Sequence, residues 1–356
     1  MSQEYKEQQK FKDTEMTRQL LKQLPPFCTD YYIGRKIRLL PKSQLNYARK
    51  MSVFLEYLHQ NNSYFQKKTV KEITLEDLAL LKPSDAREFV AWVLEQEAKP
   101  NSMRLNKTST AENYIACLSS YWTYFCREEA LSSNPFLAID REKRKKKEVI
   151  YLAEDQKDAF KSVVSYGEGL TKKQLEFQQK NLLREVCICQ VLLDTGIRVS
   201  ELVGLNIEDV DLKNCKLNVQ RKGDKPDVVY FSDETRHVLG EYLDFRNMYH
   251  PGKSQEAVFL VATGKFQGQR LGVRSVERLV KKYALAAHIP QAREITPHKL
   301  RSTFAMDMLR ETGNIALVKE QLGHESISTT QIYARAENRD KEENRNRLMD
   351  RENTKS

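Results

Sequence analysis

The chain has 356 residues and a formal net charge of +10; 40% of it is hydrophobic, and glycine (13) and proline (10) are sparse. That length suits two domains of ordinary size, and that composition excludes collagen-like and low-complexity classes. The positive balance points to a polyanionic partner, with nucleic acid first among the candidates.

The opening segment MSQEYKEQQKFKDTEM is too charged for a secretory signal, and no apolar run reaches membrane-spanning length. A cytoplasmic, nucleoid-associated protein without membrane contact is expected. Residues 1–24 read as a polar arm, loose or helical. The segment LPPFCTDYY then mixes prolines with aromatics, as a chain does where packing begins. From Pro41 a helical period sets in, with Leu45, Ala48, Met51, Leu55 and Leu58 on one face. A second helix is predicted from Ser84-Asp85 through Phe89, Trp92 and Val93. A third carries Tyr114, Leu118, Tyr121 and Phe125, with Ser109 or Thr110 as its N-cap. Residues 25–140 thus read as an all-helical domain.

The run REKRKKKE, from Arg141 to Glu148, is the sharpest shift in composition. Like charges repel and do not pack, so residues 141–150 read as a linker, either a solvated tether or one that also lies on phosphates. A second domain follows over residues 151–336. Its apolar helix around Val186 to Leu193 stops at Asp194-Thr195-Gly196, and a short helix follows from Glu201 to Leu205. Leu217 and Val219 mark one strand, and Val228, Val229 and Tyr230 its antiparallel partner, with the turn at Arg221 to Lys225. Residues 337–356 form a charged tail.

The six cysteines are Cys28, Cys117, Cys126, Cys187, Cys189 and Cys215, without a C-x-x-C pair. They read as reduced thiols in helical cores. Cys187 and Cys189 read as core packing in preference to half of a metal site, because no second Cys/His pair stands near them.

Four segments carry the candidate chemistry. Thr195-Gly196-Ile197-Arg198-Val199-Ser200-Glu201-Leu202 places an arginine at a glycine turn before a helix that Ser200 is expected to cap. Arg198 there presents its fork either to a phosphate or simply to Glu201. Lys222 lies at the hairpin tip, as a solvated turn residue or as a proton donor. Thr296-Pro297-His298-Lys299-Leu300-Arg301 starts a helix with a good cap and a first-turn proline; His298 and Arg301, three apart, share a face with the helix N-terminus, either as an anion site or simply as a helix start with a capping histidine. Leu322-Gly323-His324 is followed nine residues later by Tyr333, which by itself reads as a partly buried helix aromatic.

Taken together, these segments resemble the tyrosine recombinase (phage integrase) family. The family pattern has an arginine in T-G-x-R-x-S-E-L, a hairpin lysine, H-x-x-R, L-G-H, and a tyrosine nine residues past that histidine; all five occur here in order. The length and the LPPFCTDYY opening resemble the single-recombinase Xer type of low-GC Gram-positive bacteria. One departure stands out: Ser302 occupies the position after the second arginine, where many members have histidine.

The resemblance implies a mainly α fold with a small antiparallel β-sheet, in which a helical core-binding domain of the SAM-like type and a catalytic domain close as a C-shaped clamp on duplex DNA. It implies that Tyr333 attacks the scissile phosphodiester to give a 3′-phosphotyrosine and a free 5′-hydroxyl. Arg198, Arg301 and His324 would stabilise the transition state, Lys222 would protonate the leaving oxygen, and His298 would act as acid/base beside Tyr333. Glu201 would orient the site, and neither metal nor cofactor is expected. Partners implied are a double-stranded recombination site, a homotetramer on two such sites, and a DNA translocase or accessory regulator. Resolution of chromosome dimers is the expected role, with integration of a mobile element as the alternative. A type IB topoisomerase shares the cleavage chemistry, but the helical first domain and the charged tail favour a recombinase. The intact constellation argues against a non-enzymatic regulator.

Overall fold

The computed structural model describes residues 3–97, 107–140, 148–221, 225–249, 256–323 and 330–337. The chain divides into two compact units, one of residues 6–145 and one of residues 146–356 with 1–5.

The first unit is helical: α1 (Gln3–Leu21), α2 (Pro26–Arg35), α3 (Pro41–Asn61), α4 (Leu75–Ala79), α5 (Pro83–Glu97) and α6 (Lys107–Arg127). Prolines open α2, α3 and α5, where a missing N–H costs nothing and φ is already helical. The predicted face of α3 is the buried one, joined by Phe54 and Tyr57. The arm is helical, and Thr17 and Leu21 near its end are buried. Ser109 and Thr110 are not caps: α6 already runs from Lys107, so both lie inside its first turns. Aromatic rings fill the centre. Phe54 meets Phe89, Trp122 and Phe136 edge-on at 4.9, 5.7 and 5.6 Å, the arrangement that ring quadrupoles favour.

The second unit contains α7 (Glu154–Tyr166), α8 (Lys172–Gln179), α9 (Leu182–Thr195), α10 (Val199–Gly204), strands β1 (Val210–Asp211), β2 (Lys216–Gln220) and β3 (Pro226–Tyr230), then α11 (Asp233–Tyr249), α12 (Val273–Ala286), α13 (Pro297–Thr312) and α14 (Ile315–Leu322). Residues 330–337 are also helical. The central element is α9, which is buried nearly all round and packs against α7, α11 and α13; a helix apolar on every side belongs in a core. Cys187 and Cys189 are buried there, and burial raises both thiol pKa values. The sheet is antiparallel in the order β1-β2-β3, with Leu217 opposite Val229, both buried. The short β1 adds an edge strand that the alternation of Leu217 and Val219 does not announce. A separate apolar cluster joins α13, α14 and the 330–337 helix through Ala305, Met306, Leu309, Val318, Leu322, Tyr333 and Ala336. Among the described residues no helix is long and apolar enough to cross a membrane.

Candidate active site

The site begins where α9 ends. Gly196 takes the left-handed conformation (φ 60°), and a Cβ there would lie 2.3 Å from the Phe304 ring. Only glycine suits both conditions, so the chain turns sharply and delivers Arg198 to the N-cap of α10. Ser200 is not the cap: it sits inside α10. The exposed amide is met by Glu201, whose Oε2 accepts from Arg198 N at 2.8 Å while its Oε1 accepts from Arg198 Nη1 at 2.8 Å. Glu201 is buried, and Arg198 is held by one carboxylate at both its backbone and its guanidinium.

Helix α13 starts as its proline predicts, with Thr296 at the N-cap, although the threonine side chain makes no capping bond. His298 is exposed on the first turn, and Arg301 one turn on is only 1% exposed. The two therefore do not face the helix N-terminus together. Arg301 turns inward, donating from Nη1 to the Gly196 carbonyl at 2.7 Å and from Nη2 to the Leu322 carbonyl. Ser302 is buried and its hydroxyl bonds back to the His298 carbonyl at 3.1 Å.

The carboxyl end of α14 collects the arginines. Its last carbonyls lack helical partners and carry the negative end of the helix dipole. Arg301 donates to Leu322 O, Arg198 Nη2 approaches Gly323 O at 3.4 Å, and Arg221 Nη2 donates to Gln321 O at 2.7 Å. Arg221 is the residue that motif reading misses. It reads as the first residue of a turn, yet it is buried, ion-paired to Glu201 at 3.1 Å and to Asp227 at 2.8 Å. Its cue in the sequence is faint: an arginine beside a hairpin lysine looks solvated, and only the fold brings Glu201 to it.

Three guanidiniums thus surround one buried carboxylate, with the partly exposed Asp227 at the rim. The pKa of Arg301 falls to about 10, first from burial and then from the charge of Arg198, with Glu201 opposing the fall and Arg221 adding to it. Tyr333 is close enough to act on Arg301 electrostatically. Its ring is 2% exposed and packs in the α13–α14 cluster. The pKa of His298 is lowered by partial desolvation and then by Lys299, Arg301 and Arg198, so its imidazole is held neutral near pH 7. Under-neutralised buried cations of this kind form a site for an anion. Arg198, Glu201, Arg301 and Tyr333 are brought together; Lys222 and His324 lie outside the described residues. Among the described residues no group of three or more His, Cys, Asp or Glu side chains is placed to hold a metal ion.

The phage integrase family model matches residues 170–339. The tyrosine recombinase XerC of Thermodesulfovibrio yellowstonii is 35% identical over 245 residues, covering 68% of this chain and 74% of that protein. This chain belongs to the tyrosine recombinase family. It is a DNA recombinase of the class that works with a tyrosine nucleophile. The tyrosine recombinase XerS of Streptococcus agalactiae is similar over more of this recombinase, with 27% identity over 330 residues, 87% of this chain and 91% of the relative. The XerH site-specific recombinase, in a post-cleavage complex with palindromic difH substrate, superimposes with a TM-score of 0.63 over 84% of this chain and 79% of that one, at 20% identity. The mainly helical, two-domain fold with its small antiparallel sheet is therefore the family's.

Proposed function

We propose that this recombinase cleaves and rejoins DNA through a 3′-phosphotyrosyl link at Tyr333. The observation that carries the reading is the cluster of Arg198 and Arg301 on the carbonyls of Gly196, Leu322 and Gly323, with Tyr333 beside Arg301. A scissile phosphate supplies the anion this cluster lacks. As Tyr333 attacks, charge builds on the non-bridging oxygens, and the two guanidiniums with His324 stabilise it. Lys222 protonates the leaving 5′-oxygen, and neutral His298 takes the phenolic proton. A phenolate leaves readily, with an ordinary pKa of about 10, so the link is reversible and a 5′-hydroxyl from another strand can displace it. A nicked suicide substrate tests this. The wild type is expected to accumulate a covalent DNA adduct and Tyr333→Phe none; a wild type without adduct refutes the reading.

Residues 25–140 are proposed as the core-binding domain, 141–150 as a basic linker and 151–336 as the catalytic domain, each contacting duplex DNA. Phosphate contacts then dominate affinity and make it fall steeply with salt. The assembly is a tetramer on two sites. The similarity to XerC and XerS across most of the chain favours resolution of chromosome dimers over integration of a mobile element. Mapping the genomic sites bound in cells separates the two: one locus near the replication terminus supports the first, and element ends support the second.

A further inference from the structure

Arg221 lies outside the motif residues of the family, yet it ties together three elements that each carry part of the site. Its amide closes the base of the hairpin by donating to Lys225 O at 2.8 Å. Its Nε reaches Asp227 on β3 at 2.8 Å, its Nη1 reaches Glu201 Oε2 on α10 at 3.1 Å, and its Nη2 reaches Gln321 O on α14 at 2.7 Å. Glu201 Oε2 is also the atom that accepts from Arg198 N, so Arg221 and Arg198 share one oxygen. Gly323 packs directly on this guanidinium: a Cβ there would lie 2.7 Å from Arg221 Nε, and the residue has φ +59°. Only a planar fork serves three directions at once; an ammonium is a point charge and does not.

The placement is electrostatically costly. The charge of Arg221 is among those that lower the pKa of Arg301. A buried cation kept beside two others, bonded to the carboxylate that holds Arg198 and to the carbonyl one residue before the one that holds Arg301, serves their geometry. Resting on the reading of Arg198 and Arg301 as the phosphate clamp, we infer that Arg221 is a positioning residue of the cleavage step. It fixes the Glu201 carboxylate beneath Arg198 and the carboxyl end of α14 against Arg301, so both guanidiniums are aimed before the phosphate arrives. Preorganised donors of this kind act on charge that develops in the transition state and add little to ground-state binding.

The test compares full-length wild type, Arg221→Gln and Arg221→Lys on a nicked duplex carrying the chromosomal site that the wild type binds. The scissile linkage is either a phosphodiester or a methylphosphonate, in which one non-bridging oxygen is replaced by methyl and the negative charge is gone. Single-turnover adduct formation is measured on both, within one preparation of each protein, so that any inactive fraction cancels in the ratio. The expected result is DNA affinity within about twofold of wild type and a phosphodiester rate lower by about 10- to 100-fold, the range for groups that orient a ligating side chain from behind. On the neutral linkage the deficit shrinks, so the methylphosphonate-to-phosphodiester ratio rises about tenfold or more. Lysine at this position recovers only part of the phosphodiester rate. Equal losses on both substrates overturn the inference. So does loss of both activities together with the cooperative melt, which marks Arg221 as a folding residue. A wild type with no Tyr333-dependent adduct refutes the clamp reading itself, and the inference falls with it.

Discussion

In residues 6–145 the centre is made of rings: Phe54, Phe89, Trp122 and Phe136 meet edge to face, and all four are at most 1% exposed. Around Glu201 in the second unit, the buried groups are guanidiniums, one carboxylate and the carbonyls that end α14. The first arrangement is stabilised by area removed from water and is non-directional. The second depends on each donor finding its acceptor, and it holds more positive charge than its partners neutralise. One region is built for stability alone, whereas the other accepts an electrostatic cost and so keeps a place for an anion.

Substitutions should separate the two regions. Tyr333→Phe removes one hydroxyl from a packed ring; the suicide-substrate adduct is expected to vanish while the melting curve holds. Arg301→Ala should slow single-turnover cleavage by about 10²–10³-fold. It should also lower stability by about 1–3 kcal/mol in chemical denaturation, because the Gly196 and Leu322 carbonyls lose their charged donor. Phe54→Ala should cost about 3–5 kcal/mol of stability in the first unit, yet leave the rate of the chemical step unchanged once DNA is saturating. A chemical step slowed by Phe54→Ala, or untouched by Arg301→Ala, would break the contrast.

Two milder changes sharpen it. Gly323→Ala forces a side chain onto φ +59° and against Arg221. A loss of about 1–2 kcal/mol is expected in denaturation, with slower cleavage at unchanged DNA affinity. The smallest effect is in pH. His298 has its pKa lowered from the ordinary 6.5. As pH falls below that ordinary value, the unfolded chain takes up the proton before the folded one does, so stability declines over that window and is regained as pH rises. NMR titration of the ring should place its midpoint below 6.5 in the free protein, and bound phosphate should raise it. A midpoint above the ordinary value would contradict the cationic setting.

The helical first unit was legible because periodicity reports burial directly: Leu45, Ala48, Met51, Leu55 and Leu58 repeat on the face that packs. The start of α6 was not, since Ser109 and Thr110 are acceptable inside a first turn as well as at a cap, and local preference does not distinguish the two. In the site, the resemblance to the family's motifs picked out Arg198, Glu201, Arg301 and Tyr333. Spacing misjudged how Arg301 points, because the i,i+3 rule places side chains on a shared face without saying what lies beneath them. Arg221 stayed hidden for the same reason, as its partners are 20 and 100 residues away in the chain.

By itself, the order of residues determined the mainly helical class, the glycine that ends α9, the hairpin and the set of candidate catalytic side chains. The first three rest on local sterics or on short-range periodicity, which a sequence displays, and the catalytic set rests on the resemblance of four segments to the family's motifs. Tertiary structure alone decided that three arginines converge on Glu201 and the end of α14, and that Tyr333 lies buried beside them. Those are sums of charge and burial over distant segments, and the balance exists only once the chain has brought them together.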